Sequence, residues 1–223
     1  MKRVLLLGAV LLLTGVFSAA NAQQTVKIGM LTALSGNAAN AGQHVKAAVE
    51  LGVEIVNGAH PELKGLPLAE GAGLPNLGGA KIEVVFADHQ GNPATGQSET
   101  LRLINQEKVK SFIGAYHSSV AFATTAVAER YGIPFVVGDS VAVNITTRGF
   151  KYVFRTTPIA PTFARNYMEF LHAMSEQGQS VKSVAIVHEN TDYGTSVGEV
   201  VNEAAKAQGF NAQAKILWVS IKR

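Results

Sequence analysis

Residues 109–137, VKSFIGAYHSSVAFATTAVAERYGIPFVV, contain the pattern that decides the fold. The apolar run 109–114 predicts a buried strand, residues 119–131 predict a helix, and residues 133–137 predict a second strand. Short apolar strands on either side of a helix are typical of a parallel βαβ unit whose sheet is covered on both faces. This stretch therefore predicts an α/β fold with a parallel sheet sandwiched by helices.

The same alternation continues on both sides of this stretch. Further strands are predicted at residues 26–31, 82–87, 152–154, 184–187 and 212–219, and further helices at residues 43–57, 93–106, 161–174 and 195–208. Residues 59–80 are rich in proline and glycine and predict an irregular surface insertion. Ligands of parallel sheets lie beyond the carboxyl ends of the strands. The loops that could hold one are therefore residues 32–42, 88–93, 115–119, 138–146 and 188–194.

The composition excludes several classes of protein. With 47% hydrophobic and 16% charged residues, the chain is neither disordered nor a coiled coil. The absence of cysteine removes disulfides, zinc fingers and cysteine nucleophiles. The six histidines are scattered and do not form a metal-ligand motif, and no glycine-rich phosphate loop occurs, so no cofactor and no metal are predicted. The formal charge is only +3, which does not indicate a nucleic-acid partner.

The N-terminus has the pattern of a signal peptide. A positive start at Lys2 and Arg3 precedes the apolar run 4–16, and small residues follow up to Ala22. The run is shorter than the roughly 20 residues that span a bilayer, so a membrane helix is disfavoured. We expect residues 1–22 to be a signal peptide cleaved after Ala22, and the product to be exported.

Two strand-to-helix junctions carry candidate binding residues. Ser118 and Ser119 follow a predicted strand and begin a helix, where a hydroxyl and free backbone N–H groups favour a carboxylate or another electron-rich oxygen. An ordinary serine N-cap explains the same residues equally well. Tyr193 precedes Gly194 at a second junction and could present its ring to a cleft or simply pack in the loop.

A third loop resembles an enzyme motif. Gly138-Asp139-Ser140 resembles the Gly-Asp-Ser block of one family of serine esterases, whose serine is the nucleophile. Such a serine needs a histidine base that a carboxylate orients, and this chain has no Asp-x-x-His pair. An esterase that uses Ser140 remains the alternative function from a different class, and a polar loop that binds a ligand is favoured.

Several short blocks follow one another along the chain in a characteristic order: Val26-Lys27-Ile28-Gly29 with Leu34-Ser35-Gly36, Phe86-Ala87-Asp88 with Asn92-Pro93, Phe112-Ile113-Gly114 with Ser118-Ser119, Tyr131-Gly132-Ile133-Pro134, Thr147-Arg148-Gly149-Phe150 with Phe154-Arg155-Thr156-Thr157, and Ala185-Ile186-Val187-His188 with Asp192-Tyr193-Gly194. In their order and spacing these blocks resemble the leucine/isoleucine/valine-binding family of periplasmic proteins that serve ABC transporters. The similarity extends from about residue 25 to residue 219.

The resemblance implies a fold, a function and a location. Two α/β lobes of the type I periplasmic-binding-protein fold would close on the ligand, with residues 25–157 as a nearly complete first lobe and residues 158–223 as a partial second lobe. The protein would be a non-enzymatic periplasmic binding component of an ABC importer, with a membrane permease as its partner. Its ligand would be a branched-chain amino acid or a related amino acid or amide. A ligand-sensing regulator of the same fold is the rival, and the signal peptide argues against it.

The resemblance also implies roles for single residues. Ser118 would contact the ligand carboxylate through its hydroxyl and its amide, with Ser119 beside it. Tyr116 would line the pocket, and Tyr193 would close on it from the second lobe. Further hydrogen bonds would come from the loop Asp139, Ser140 and Val141.

The chain departs from the family in two respects. Ala41 stands where branched-chain binders often have an aromatic residue in the first loop, and Asp139 and Val141 replace small residues and a threonine. An acidic side chain near a ligand carboxylate is repulsive unless it points away, which favours a ligand other than leucine. Family members also exceed 300 residues, so we expect a truncated product that binds weakly and is cut by protease after about residue 158.

Overall fold

The computed structural model describes residues 24–217. The strands are β1 Thr25–Thr32, β2 Lys81–Asp88, β3 Ser111–Gly114, β4 Phe135–Val137, β5 Val153–Arg155, β6 Ser183–Glu189 and β7 Asn211–Leu217. The helices are α1 Ala39–Asn57, α2 Pro93–Arg102, α3 Ser118–Arg130, α4 Ala160–Glu176 and α5 Asp192–Ala207. Short 3₁₀ turns lie at Pro75–Leu77 and Val143–Ile145, and α2 continues as a π-helical segment at Leu103–Glu107.

The first five strands form one parallel sheet in the order β2-β1-β3-β4-β5. The chain moves outward from β1 to β2 and then returns across β1 to β3, so the direction of the connections reverses there. Because βαβ connections are right-handed, this reversal places α1 on the opposite face of the sheet from α2 and α3. Ligands bind where the strand order reverses, at the carboxyl ends of β1 and β3.

The core of this sheet is built around two stacked phenylalanines. Phe112 and Phe135 are completely buried, and their ring centroids lie 5.5 Å apart. Gly29 of β1 makes room for this packing, because a Cβ atom there would lie 2.7 Å from the Phe112 ring. Apolar residues of β1, α2, α3 and the turn after β4 complete the cluster. The sandwiched α/β fold predicted from the sequence is confirmed.

The second unit is smaller. Strands β6 and β7 pair in parallel, and helices α4 and α5 pack together beside them. Its core is a separate cluster of small and medium side chains: Ala164, Met168, Ile186, Val201, Ala205 and Ala212. Among the described residues, β6 has a strand on one edge only. Residues 156–159 connect the two units.

Several element boundaries differ from the predictions. Helix α1 begins at Ala39 rather than at residue 43, because Ala39 and Ala41 are strong helix formers that extend the first turn. Ala41 therefore lies in a helix and not in the first loop. Helix α5 begins at Asp192 rather than at residue 195, because the Thr191 hydroxyl accepts a hydrogen bond from the Gly194 N–H at 3.1 Å and caps the helix.

The chain ends and the 59–80 insertion were also the subject of predictions. The predicted signal peptide and the last two residues of the final predicted strand lie outside the described residues. The 59–80 segment is irregular as expected, apart from its 3₁₀ turn and one bridge between Leu74 and Ala80. None of the helices in the described part of the chain is long and apolar enough to cross a membrane.

Candidate functional site

Ser118 occupies the first turn of α3, directly beyond the carboxyl end of β3. Its side chain is only 2% exposed, and its hydroxyl has no hydrogen-bond partner among the described residues. His117 is the N-cap residue of α3, and no side chain caps the helix. The structure therefore does not use Ser118 as an N-cap. A buried hydroxyl beside the free N–H groups of a helix N-terminus is a site for an oxygen anion supplied from outside the protein.

Ser140 follows β4 and faces the loop that precedes Ser118. Its hydroxyl donates to the carbonyl oxygen of Ala115 at 2.5 Å, with a weaker contact to the carbonyl oxygen of Tyr116 at 3.3 Å. The side chain is buried, so the hydroxyl proton is already used inside the protein. The structure thus gives Ser140 a role that the sequence did not predict, which is to hold the β3–α3 loop in place.

The neighbours of Ser140 differ in character. The Val141 side chain is buried, so this residue can offer a ligand only its backbone. Asp139 is half-buried, and burial raises the pKa of its carboxyl group. No hydrogen bond to the Asp139 side chain is present among the described residues. When ionised, this carboxyl group would repel a second carboxylate unless its side chain points away from it, as stated in the sequence analysis.

Tyr116 and His117 directly precede Ser118, and their rings pack in a row with the ring of His89. Tyr116 packs edge-on against His117 with ring centroids 5.2 Å apart, and His117 packs edge-on against His89 at 5.3 Å. His89 is completely buried, and its Nδ1 atom accepts a hydrogen bond from the Gly91 N–H at 3.0 Å. Sequence reasoning treated the histidines as scattered and missed this pair, although both residues follow the ends of predicted strands.

The environment of His89 keeps its imidazole neutral. Burial lowers the pKa of His89 to about 4, and the neighbouring His117 contributes to the same shift. Burial also lowers the pKa of His117. Since an unfolded histidine titrates near pH 6.5, the folded protein binds fewer protons than the unfolded chain below that pH. The stability that His89 contributes is therefore present above pH 6.5 and is lost as the pH falls towards 4.

We expect His89→Asn to reduce this pH dependence. Asparagine retains an acceptor for the Gly91 N–H but does not titrate, so the fall in stability between pH 6.5 and pH 4 should become shallower than in the parent protein. Urea denaturation followed by circular dichroism at several pH values measures the difference. The control is His44→Asn on the exposed face of α1. An unchanged slope in the His89 variant would contradict the assignment.

Tyr193 approaches this region from the second unit. It lies in the first turn of α5 and is 47% exposed. Burial raises the pKa of its hydroxyl, and Tyr167, Glu189 and Tyr116 add to the shift through their charges. Tyr116 of the first unit and Tyr193 of the second therefore share one electrostatic environment.

A polar cleft of about 560 Å³ separates the two units beside these residues. It is lined by Val143, Asn144 and Thr147 on one side and by Asn190, Thr191, Asp192, Thr195, Ser196, Glu199 and Val200 on the other. None of the predicted site residues lines it. We place the candidate site at the ends of β3 and β4, because Ser118, with its buried and unpartnered hydroxyl at a helix N-terminus, lies there. No group of three histidine, aspartate or glutamate side chains in residues 24–217 could hold a metal ion.

These features define a class of protein. A parallel α/β sheet presents a helix N-terminus and an unsatisfied hydroxyl at its carboxyl edge, and a second α/β unit follows after a short connection. This is the arrangement of a protein that binds a small molecule between two α/β units.

The comparisons identify the family. The family profile described as "Periplasmic binding protein" matches residues 25–218, so the chain belongs to that family. It is 33% identical over 223 residues to a Leu/Ile/Val-binding protein homolog 8 of Brucella abortus, which covers 95% of this chain and 50% of the relative. The resemblance predicted from the sequence is confirmed.

Solved structures agree with the fold. A leucine-binding protein of Thermotoga maritima superimposes with a TM-score of 0.72 at 20% identity, covering 89% of this chain and 50% of that one. A solute-binding protein of an ABC transporter from R. palustris, in complex with benzoate, superimposes with a TM-score of 0.70 at 25% identity, covering 88% and 49%. The chain thus spans about half the length of these relatives.

Proposed function

We propose that this chain carries the first ligand-binding lobe, and the beginning of the second, of a periplasmic solute-binding protein of an ABC importer. Its ligand is a small carboxylate of the amino-acid or aromatic-acid type, and its macromolecular partner is the membrane permease of the importer. Residues 25–157 form the first lobe, and the second begins at about residue 158. The observation that carries the proposal is the buried Ser118 hydroxyl, which lacks a partner at the N-terminus of α3.

The ligand contacts follow from this observation. The carboxylate accepts hydrogen bonds from the Ser118 hydroxyl and from the N–H groups of the first turn of α3, with Ser119 beside it. Tyr116 and Tyr193 cover the rest of the ligand from the two lobes, since both rings are partly exposed and Tyr116 contributes to the raised pKa of Tyr193. Backbone groups of Asp139, Ser140 and Val141 provide the remaining polar edge.

The similar proteins are named for, or hold, ligands of two chemical types. The Brucella relative is named for leucine, isoleucine and valine, whereas the R. palustris protein holds benzoate. The half-buried carboxyl group of Asp139 and the packed rings of Tyr116 and His117 favour a flat or polar molecule over a branched aliphatic one.

A thermal-shift screen of the protein tests the proposal. It compares branched-chain amino acids, polar amino acids, amides and benzoates at millimolar concentration. A ligand at about 100 times its dissociation constant adds roughly 2.7 kcal/mol of stability, which gives a clear shift. The proposal requires that at least one carboxylate stabilises the protein and that the corresponding primary alcohol does not. Absence of any shift across all carboxylates would count against it.

The esterase alternative predicts a different result. A nucleophilic serine must be exposed and must donate its proton to a histidine, but Ser140 is 2% exposed and donates to backbone carbonyl groups. We therefore expect a fluorophosphonate to leave Ser140 unlabelled, as judged by intact mass. We also expect p-nitrophenyl acetate to be hydrolysed no faster by the parent protein than by Ser140→Ala. Stoichiometric labelling of Ser140 would overturn the binding-protein proposal.

A further inference from the structure

We propose that Arg155 is a positioning residue for the Ser118 site. Its guanidinium group clamps the loop after β4, and through Ser140 this loop holds the backbone that presents Ser118. The inference rests on the proposed function, because it assigns the support of the same ligand site. Nothing in the sequence pattern pointed to this role, since Arg155 belongs to a strand at the far edge of the sheet.

The first link is a two-point contact. One terminal nitrogen of Arg155, Nη1, donates to the carbonyl oxygen of Ser140 at 2.8 Å. The other, Nη2, donates to the carbonyl oxygen of Ala142 at 2.7 Å. Two donors of one planar group on carbonyls two residues apart determine both the distance and the direction of the loop. Lysine carries the same charge but cannot reproduce this fork.

Arg155 forms no ion pair with any of the described residues. Burial lowers the pKa of its guanidinium group, and no carboxylate of residues 24–217 lies within salt-bridge distance of it. Hydrogen bonds from a charged donor are roughly twice as strong as neutral ones. Within the described chain, both hydrogen bonds of the Arg155 guanidinium group therefore go to the loop 140–142.

The second link joins that loop to the site. The Ser140 hydroxyl donates to the carbonyl oxygen of Ala115 at 2.5 Å, three residues before Ser118. Arg155 therefore reaches the N-terminus of α3 in two steps, through a carbonyl group and a hydroxyl group of the same residue. Loss of either step should release the same backbone segment, residues 115–121.

The same loop also receives the connection to the second unit. The Val141 carbonyl oxygen accepts from the N–H of Ala160, the first residue of α4, at 3.0 Å. The N–H of Thr156 donates to the carbonyl oxygen of Val137, also at 3.0 Å. Residues 137–142 consequently lie between the start of the second unit and the ligand site, and Arg155 holds the middle of this segment.

Hydrogen exchange on the full chain, followed by mass spectrometry, tests the inference without any ligand. In Arg155→Lys we expect segment 115–121 to exchange about tenfold faster than in the parent protein at its hydrogen-bonded amide, the N–H of Ala121 on the His117 carbonyl oxygen, because loss of the Arg155 fork lowers the free energy of local opening. Ser140→Ala should accelerate the same segment. In the double variant the exchange rate of this segment should be little higher than in either single variant, because Arg155 and Ser140 act in series.

Arg102→Lys is the matched control. Arg102 is also a partly buried arginine with a two-point contact, but its partners are the carboxylates of Glu99 at 2.7 Å and Glu107 at 3.6 Å. Among the described residues no hydrogen bond or ion pair joins it to the loop 140–142 or to α3, so this variant should leave residues 115–121 unchanged. Unchanged exchange of residues 115–121 in Arg155→Lys, or equal acceleration in both lysine variants, would overturn the inference. Because no ligand is present, either result leaves the proposed function to its own test.

Discussion

Ser118→Ala is expected to weaken binding of the carboxylate ligand by about ten- to a hundredfold. The hydroxyl is buried, lacks a partner and stands at a helix N-terminus, so in the complex it donates to a charged acceptor. Removal of a hydrogen bond to a charged group costs about 1.5–3 kcal/mol, which corresponds to roughly a tenfold to hundredfold change in the dissociation constant. Isothermal titration calorimetry with the carboxylate identified in the thermal screen measures the change.

The same substitution should behave differently in the absence of ligand. Because the Ser118 hydroxyl has no partner in the unliganded protein, its removal should not lower the melting temperature and could raise it slightly. Ser119→Ala, at the neighbouring and less buried position, is the control and should alter affinity much less. An unchanged dissociation constant in Ser118→Ala, with Ser119→Ala equally silent, would show that the ligand does not use the α3 N-terminus.

The fold was predictable because its signals are local. Each strand is a short apolar run and each helix follows at once, so the type and order of the elements can be read from the chain. The order β2-β1-β3-β4-β5 depends on contacts between residues far apart in sequence, such as Gly29 and Phe112, and no local pattern encodes them. The early start of α5 was missed because the cap is Thr191 and not a residue next to the apolar run.

The site was predictable to a smaller extent. The position of Ser118 between a strand and a helix could be predicted, because both elements have local sequence signals; its contact with a ligand stays a prediction. The role of Ser140 could not be predicted, because the direction of its hydroxyl depends on the position of the Ala115 carbonyl group, 25 residues away in the sequence. Arg155 and the ring pair of His89 and His117 were missed for the same reason. Sequence patterns indicate which residues stand at the sheet edge, but not which of them are already bonded to the protein.

Because the chain is divided into two units with separate cores, a core substitution should destabilise only the unit that contains it. Phe112→Ala is expected to lower the unfolding free energy of the first unit by about 3–5 kcal/mol, because the side chain is completely buried and stacks on Phe135. Met168→Ala removes a side chain that is 2% exposed in the core of the second unit and should cost about 2–5 kcal/mol there. The two cores form separate clusters, so the effects should stay separate.

Hydrogen exchange at increasing urea concentration distinguishes the two units within one sample. Phe112→Ala should move the transition of β1, β3 and α3 to lower urea and leave that of α5 and β6 close to its parent value. Met168→Ala should move the transition of α5 and β6 to lower urea and leave that of β1, β3 and α3 close to its parent value. Limited proteolysis of the parent protein should accordingly cut after about residue 158, because the second unit exposes Phe170 and Val187 by 62% and 60% and has the smaller core. If both substitutions shift all segments together, the units fold as one, and residues 25–157 are not an independent lobe.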